Sequence, residues 1–125
     1  MSGGPTIKIK VQIYCGDQIA MGPGKADLLD AIALEGSISA AGRKLHMSYR
    51  RCWLLVDVMN RCWTGPLVST NSAGARLTEL GVDILRHYRA LQGSVGDAAT
   101  GGKAMLTAVL REAPLPVQSE AAHSI

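Results

Sequence analysis

Apolar and polar residues alternate from Thr6 to Tyr14, with Ile7, Ile9, Val11 and Ile13 on one face and Lys8, Lys10, Gln12 and Tyr14 on the other. A period of two predicts a half-buried strand. Cys15-Gly16-Asp17 predicts a turn, and Gln18 to Met21 the short returning strand of a hairpin. Past Gly22-Pro23-Gly24 the period changes. Leu28, Leu29 and Ile32 recur at helical spacing and predict a helix over Lys25 to Leu34 that ends at Gly36. Ala40, Ala41 and Leu45 then share one face of a second, small-residue helix, capped by Ser37 or Ser39. His46 and Met47 turn the chain, with Met47 as an apolar plug. Ser48 predicts the N-cap of a third helix, on which Cys52, Leu55, Val56, Met59 and Trp63 repeat at threes and fours. Trp53 lies one step off that stripe; core packing is expected for it, with the domain edge as the alternative.

Thr64-Gly65-Pro66 breaks the helical pattern. Leu67 to Thr70 and Ala75 to Leu77, around Asn71-Ser72-Ala73-Gly74, predict a second β-hairpin, the wing of a winged helix. Thr78 then caps a last firm helix to Leu91, with Glu79 in the first turn where the helix dipole favours negative charge. Leu77, Leu80, Ile84, Tyr88 and Leu91 fall on one face, and Val82 and Leu85 widen the apolar arc beyond one core-facing stripe. Such excess predicts a second buried contact, most simply a homodimer. Beyond Gln92 the composition turns to Gly, Ala and Ser; Lys103 to Glu112 predicts one amphipathic helix, and the chain from Pro114 a disordered tail. The expected organisation is a mobile start over 1–5, a winged helix-turn-helix over 6–92, and a short helix and tail over 93–125. The fold class is α+β, mainly α, with an N-terminal β-hairpin and a C-terminal dimerisation helix.

The first turn of the third helix is Tyr49-Arg50-Arg51, directly after its serine cap. Adjacent arginines at an exposed helix start, after a tight turn from a small-residue helix, are what entry into a DNA major groove requires. The net charge of +3 is modest, but its distribution is not. Between Arg43 and Arg76 stand Arg43, Lys44, Arg50, Arg51, Arg61 and Arg76, against Asp57 alone. That clustering is the electrostatic footprint of a polyanion partner. Ser48, Tyr49, Arg50 and Arg51 are the candidates for base edges and phosphates, and Arg43, Lys44 and Arg76 for the phosphate backbone of double-stranded DNA.

Gly36 to Asn60 resembles the helix-turn-helix of LysR-type regulators and, more closely, that of ModE-type molybdate-responsive regulators. The matching stretches are GSISAA at Gly36 to Ala41, MSYRR at Met47 to Arg51 and LTELG at Leu77 to Gly81. The likeness spans residues 6 to 91, with a wing shorter than the glycine-rich one usual in the ModE type. It implies a dimeric DNA-binding regulator that pairs through the last helix and the first. Val82, Leu85, Tyr88 and Leu29 are the interface candidates, and an inverted repeat is the expected DNA target. Full-length ModE-type regulators continue into oxyanion-binding domains; the thirty-odd residues after Gln92 are too few for one, so no molybdate site is expected here.

Other chemistries find little support. Cys15, Cys52 and Cys62 lack metal-ligand spacing. Cys52 and Cys62 lie about 15 Å apart along one helix, too far to pair. His46, His87 and His123 are scattered, and no phosphate loop or nucleophile elbow appears. Neither catalysis nor a metal or other cofactor is expected. With no leader pattern and no apolar run of membrane length, a cytoplasmic protein with reduced thiols and no membrane partner is expected. The contrasting possibility is a winged-helix protein–protein module that no longer binds DNA, anchored by Tyr49 and Trp53.

Overall fold

The computed structural model describes residues 4–117; the first residues of the glycine-rich start and the end of the tail, including His123, lie outside them. The elements in order are β1 (Ile13–Cys15), β2 (Gln18–Met21), α1 (Pro23–Glu35), α2 (Ile38–Lys44), α3 (Tyr49–Cys62), β3 (Val68–Asn71), β4 (Gly74–Leu77), α4 (Glu79–Ala98) and α5 (Thr100–Val109). Lys10–Val95 make one compact unit, and the described residues flanking it on both sides belong to a second. That second unit holds α5, which has no buried residue.

Each helix of the compact unit starts and stops for a local reason. Pro23 opens α1, where a missing N–H costs nothing. Gly36 ends it in the left-handed region at φ 79°, its N–H donating to the Ile32 carbonyl at 2.9 Å. Ser37 caps α2 by accepting from the Ala40 N–H at 3.0 Å, and Ser48 caps α3 by accepting from Arg51 at 3.1 Å. Between them His46 turns the chain at φ 58°. Thr78 Oγ1 accepts from the Gly81 N–H at 2.9 Å and donates to the Pro66 carbonyl at 2.7 Å. The same threonine therefore caps α4 and fastens it to the segment leading into the wing.

The core gathers one face of each helix: Leu28, Leu29 and Ile32 from α1, Ile38 and Ala41 from α2, Cys52, Val56 and Met59 from α3, and Tyr88 from α4, closed by Met21, Leu67 and Val68. No buried side-chain polar atom lacks a partner among the described residues. α2 and α3 cross closely because Gly42 abuts the Cys52 sulfur and the Met47 carbonyl. Arg89 of α4 reaches back to Asp27 at 2.9 Å and Asp30 at 2.5 Å on α1. These carboxylates raise its pKa against the opposing effect of burial. Such half-exposed pairs align the two helices more than they stabilise them.

Several expectations require correction. The predicted strand over Thr6 to Tyr14 pairs only from Ile13, because the returning strand stops after four residues at Gly22-Pro23. Val11 uses its carbonyl differently, accepting from the Tyr88 hydroxyl at 2.6 Å. α4 runs to Ala98, past the change in composition after Gln92, since isolated glycines cost an established helix only about 1 kcal/mol each. α5 begins at Thr100, three residues before the predicted start, after a single turn residue at Ala99. Trp53 stays out of the core at 37% exposure.

The apolar arc of α4 also divides differently. Gly81 sits directly on the Leu67 carbonyl, and this contact sets the rotation of the helix. Leu77, Leu80, Ile84 and Tyr88 face the core as their stripe predicts, and Leu85 packs there too, whereas Val82 remains 51% exposed and Leu91, in phase with Ile84, 43%. Tyr88 (2% exposed) and Leu29 (0%) are consumed by the core and offer no surface to a second chain. Of the four interface candidates only Val82 is exposed.

Candidate nucleic-acid interface

The start of α3 is presented outward by the packing of its other face. Cys52 points into the core, so at 100° per residue Arg50 points almost directly away from it, with Leu54 beside it. Tyr49 and Trp53 lie to one side, their rings edge to face at a centroid distance of 6.2 Å. They line a groove that continues through Ser39 of α2 to Thr70 and Asn71 of the wing. Arg51 and Leu55 lie on the other flank. The two adjacent arginines therefore face different surroundings.

The wing is fixed to α3 by one side chain that sequence reasoning passed over. Asn60 Oδ1 accepts from the Leu67 N–H at 2.8 Å and the Val68 N–H at 3.0 Å, while its Nδ2 donates to the Val68 carbonyl at 3.0 Å. β3 and β4 pair in register from Val68↔Leu77 to Asn71↔Gly74. The two-residue tip is held by Asn71, whose Oδ1 accepts from the Ala73 N–H at 2.7 Å. At the far edge Ala75 donates its N–H to the Gly36 carbonyl at 2.9 Å. This stitches the wing to the α1–α2 junction. Arg76 projects from β4 opposite Ser69.

The proposed contact residues do not all converge. Ser48, Tyr49, Arg50 and Arg51 stand together at the start of α3. Arg43 is exposed on α2, its guanidinium donating to Ser39 Oγ at 2.9 Å, and Arg76 is exposed on the wing. Lys44 instead lines a groove with Asp27 and Asp30 of α1, beside two opposite charges. Further along α3, Arg61 pairs with Asp57 at 3.0 Å, so on this helix the charge that faces outward without an ion pair among the described residues is that of the first turn. Among the described residues no group of three or more His, Cys, Asp or Glu could hold a metal. Cys15 is exposed and neighbours Cys62; burial, with that second thiol beside it, raises the pKa of Cys62.

No family model matches the chain. It is 36% identical over 78 residues to the molybdenum transport protein ModE of Azotobacter vinelandii, covering 58% of this chain and 29% of that protein. It is 32% identical over 83 residues to the molybdenum-pterin-binding protein MopA of Rhodobacter capsulatus, covering 62% of this chain and 31% of that one. The chain thus spans less than a third of the length of these relatives. Among solved structures, the DNA-binding domain of CbnR in complex with DNA superposes with a TM-score of 0.56 at 21% identity, covering 66% of this chain and 94% of that one. CbnR, a LysR family transcriptional regulator, superposes with a TM-score of 0.54 at 21% identity, covering 65% of this chain and 28% of that one. The fold is a winged helix-turn-helix. The similarity to ModE and MopA at the sequence level and to a LysR-type domain at the fold level matches the resemblance carried by GSISAA, MSYRR and LTELG. No helix among the described residues is long and apolar enough to cross a membrane.

Proposed function

We propose that this chain is a DNA-binding unit of a cytoplasmic transcription regulator, reading duplex sequence with α3 and gripping the backbone with its flanks. The observation that supports this most is the outward-facing start of α3, where Ser48, Tyr49, Arg50 and Arg51 stand between a wing and a small-residue helix and neither arginine forms an ion pair among the described residues. The molybdenum-related names of its relatives make molybdenum-linked regulation the proposed setting. Arg50 is assigned to base edges and Arg51 to phosphate. Replacing Arg50 by alanine should cost about 1–3 kcal/mol on the preferred sequence and far less on random duplex. Replacing Arg51 should weaken both alike and reduce the salt slope. Selection from a random DNA pool followed by titration of both variants is the test; unchanged affinity in both would remove α3 from the recognition role.

One recognition helix touches few base pairs against the millions of competing sites in a genome, so we also propose a homodimer on an inverted repeat. The exposed Val82 of α4 supplies apolar surface for it, in place of the buried Leu29 and Tyr88. A Val82→Glu variant should sediment as a folded monomer and lose most of its preference for the selected sequence. A wild-type monomer at micromolar concentration with full preference would exclude pairing.

The exposed Tyr49 and Trp53 support a second reading, a protein–protein module anchored on that aromatic pair. Absence of any duplex binding at low salt would favour it.

A further inference from the structure

A cleft of about 420 Å³ lies on the flank of α3 turned away from the wing, lined by Lys10, Gln12, the Gly22–Lys25 start of α1, and Arg51. Three cations from three separate segments meet there, and among the described residues no acidic one lines it. Among the described residues none of the three forms an ion pair; the cationic partners of the ion pairs found are Arg61, Arg86 and Arg89. Lys25 is half-buried, and burial together with the guanidinium of Arg51 holds its ammonium below the usual lysine range. The positive end of α1 adds to a field that the three side chains already set. Like charges gathered without a counterion are costly unless a partner supplies the negative charge.

The direction of the cleft identifies that partner. Tyr49 and Trp53 line the groove toward the wing, while Arg51 and Leu55, about half a turn around the same helix, line this cleft. A duplex whose major groove receives Arg50 would place one strand's backbone on each flank of α3. We propose that Lys10, Lys25 and Arg51 form a backbone seat for a DNA phosphate on the flank opposite the wing, so that the duplex is clamped on both sides of the recognition helix. This rests on the DNA-binding reading above and adds Lys10 and Lys25 to the contact surface. Nothing in the sequence places either lysine beside Arg51, because the cleft is assembled from the N-terminal segment, the α1 start and α3.

The test is fluorescence anisotropy of the full chain on the selected duplex and on a random duplex, across a salt series. The Lys10→Gln/Lys25→Gln double variant is compared with Lys10→Arg/Lys25→Arg. The glutamine variant should lose roughly tenfold per lost contact near 0.1 M salt, equally on both duplexes, with the salt slope shallower by about 0.9 per contact. The arginine variant should keep the wild-type slope. Wild-type slope and affinity in the glutamine variant, while Arg50→Ala still loses sequence preference, would overturn the seat and leave the DNA-binding reading standing. A wild-type protein that binds neither duplex would overturn both. Saturable uptake of inorganic phosphate at this cleft, with no change in duplex affinity in the glutamine variant, would show a site for a free anion instead of a DNA backbone.

Discussion

Gly81→Ala should be among the most damaging single substitutions in this chain. A methyl group at that position would overlap the Leu67 carbonyl, and backbone lies on both sides of the contact. A flexible neighbour could rotate away; a peptide group already accepting the Thr78 N–H at 2.9 Å cannot. The whole of α4 must shift, taking with it the buried Tyr88 and the bond from its hydroxyl to Val11. The expected loss is about 3 kcal/mol, the upper end of what over-packing usually costs. Urea unfolding should show a lower midpoint with little change in slope, as expected when stability changes but compactness does not. Gly81→Ala with a wild-type midpoint would mean that α4 is not seated on Leu67.

The second large effect is expected at Asn60. Its side chain satisfies three backbone groups at the entry to the wing, and alanine leaves all three to water or to nothing. Because the site is only partly buried, water recovers part of the loss, and about 2–3 kcal/mol is expected. Asn60→Asp separates the contributions. The carboxylate can still accept from Leu67 and Val68 but would face the Val68 carbonyl with no proton to donate. It should therefore remain destabilising despite its nearly identical shape. Amide exchange gives the local readout: Leu67 and Val68 should lose protection in either variant before the core of α1 does. Protection unchanged at both amides would show that the wing is held by its hairpin alone.

Both predictions rest on features that the sequence did not display, while much of the rest was legible. The caps at Ser37, Ser48 and Thr78 follow from interactions three residues long, which a linear reading captures. The hairpin turns and the core stripe of α3 are equally local. The division of α4 is less so: Leu77, Leu80, Ile84 and Tyr88 face the core as their spacing predicts, but spacing does not say that Leu85 packs there too or that Leu91, in phase with Ile84, stays half exposed. Leu29 enters the interface list only through the family resemblance, which implies pairing through the first helix; its place in the stripe with Leu28 and Ile32 puts it in the core, where it lies. Asn60 looked like an unremarkable polar residue near a helix end. Its importance comes from the placement of the Leu67–Val68 peptides, fixed by the wing. Arg50 and Arg51 were legible as a pair, but the division between them required the direction of Cys52.

The fastening of the wing has one more consequence. Its attachments include a backbone hydrogen bond to Gly36, the inward amide of Asn60 and the bonds of Thr78 to the Pro66 and Leu67 carbonyls, together with the strand pairing itself. Arg50, Leu54, Thr70 and Arg76, the exposed side chains around the outward face, take no part in them. Drift at those four positions is therefore nearly invisible to folding, and substitutions there can accumulate without compensating changes in the interior. A lineage built on this frame can change what the outward face recognises while inheriting its architecture intact.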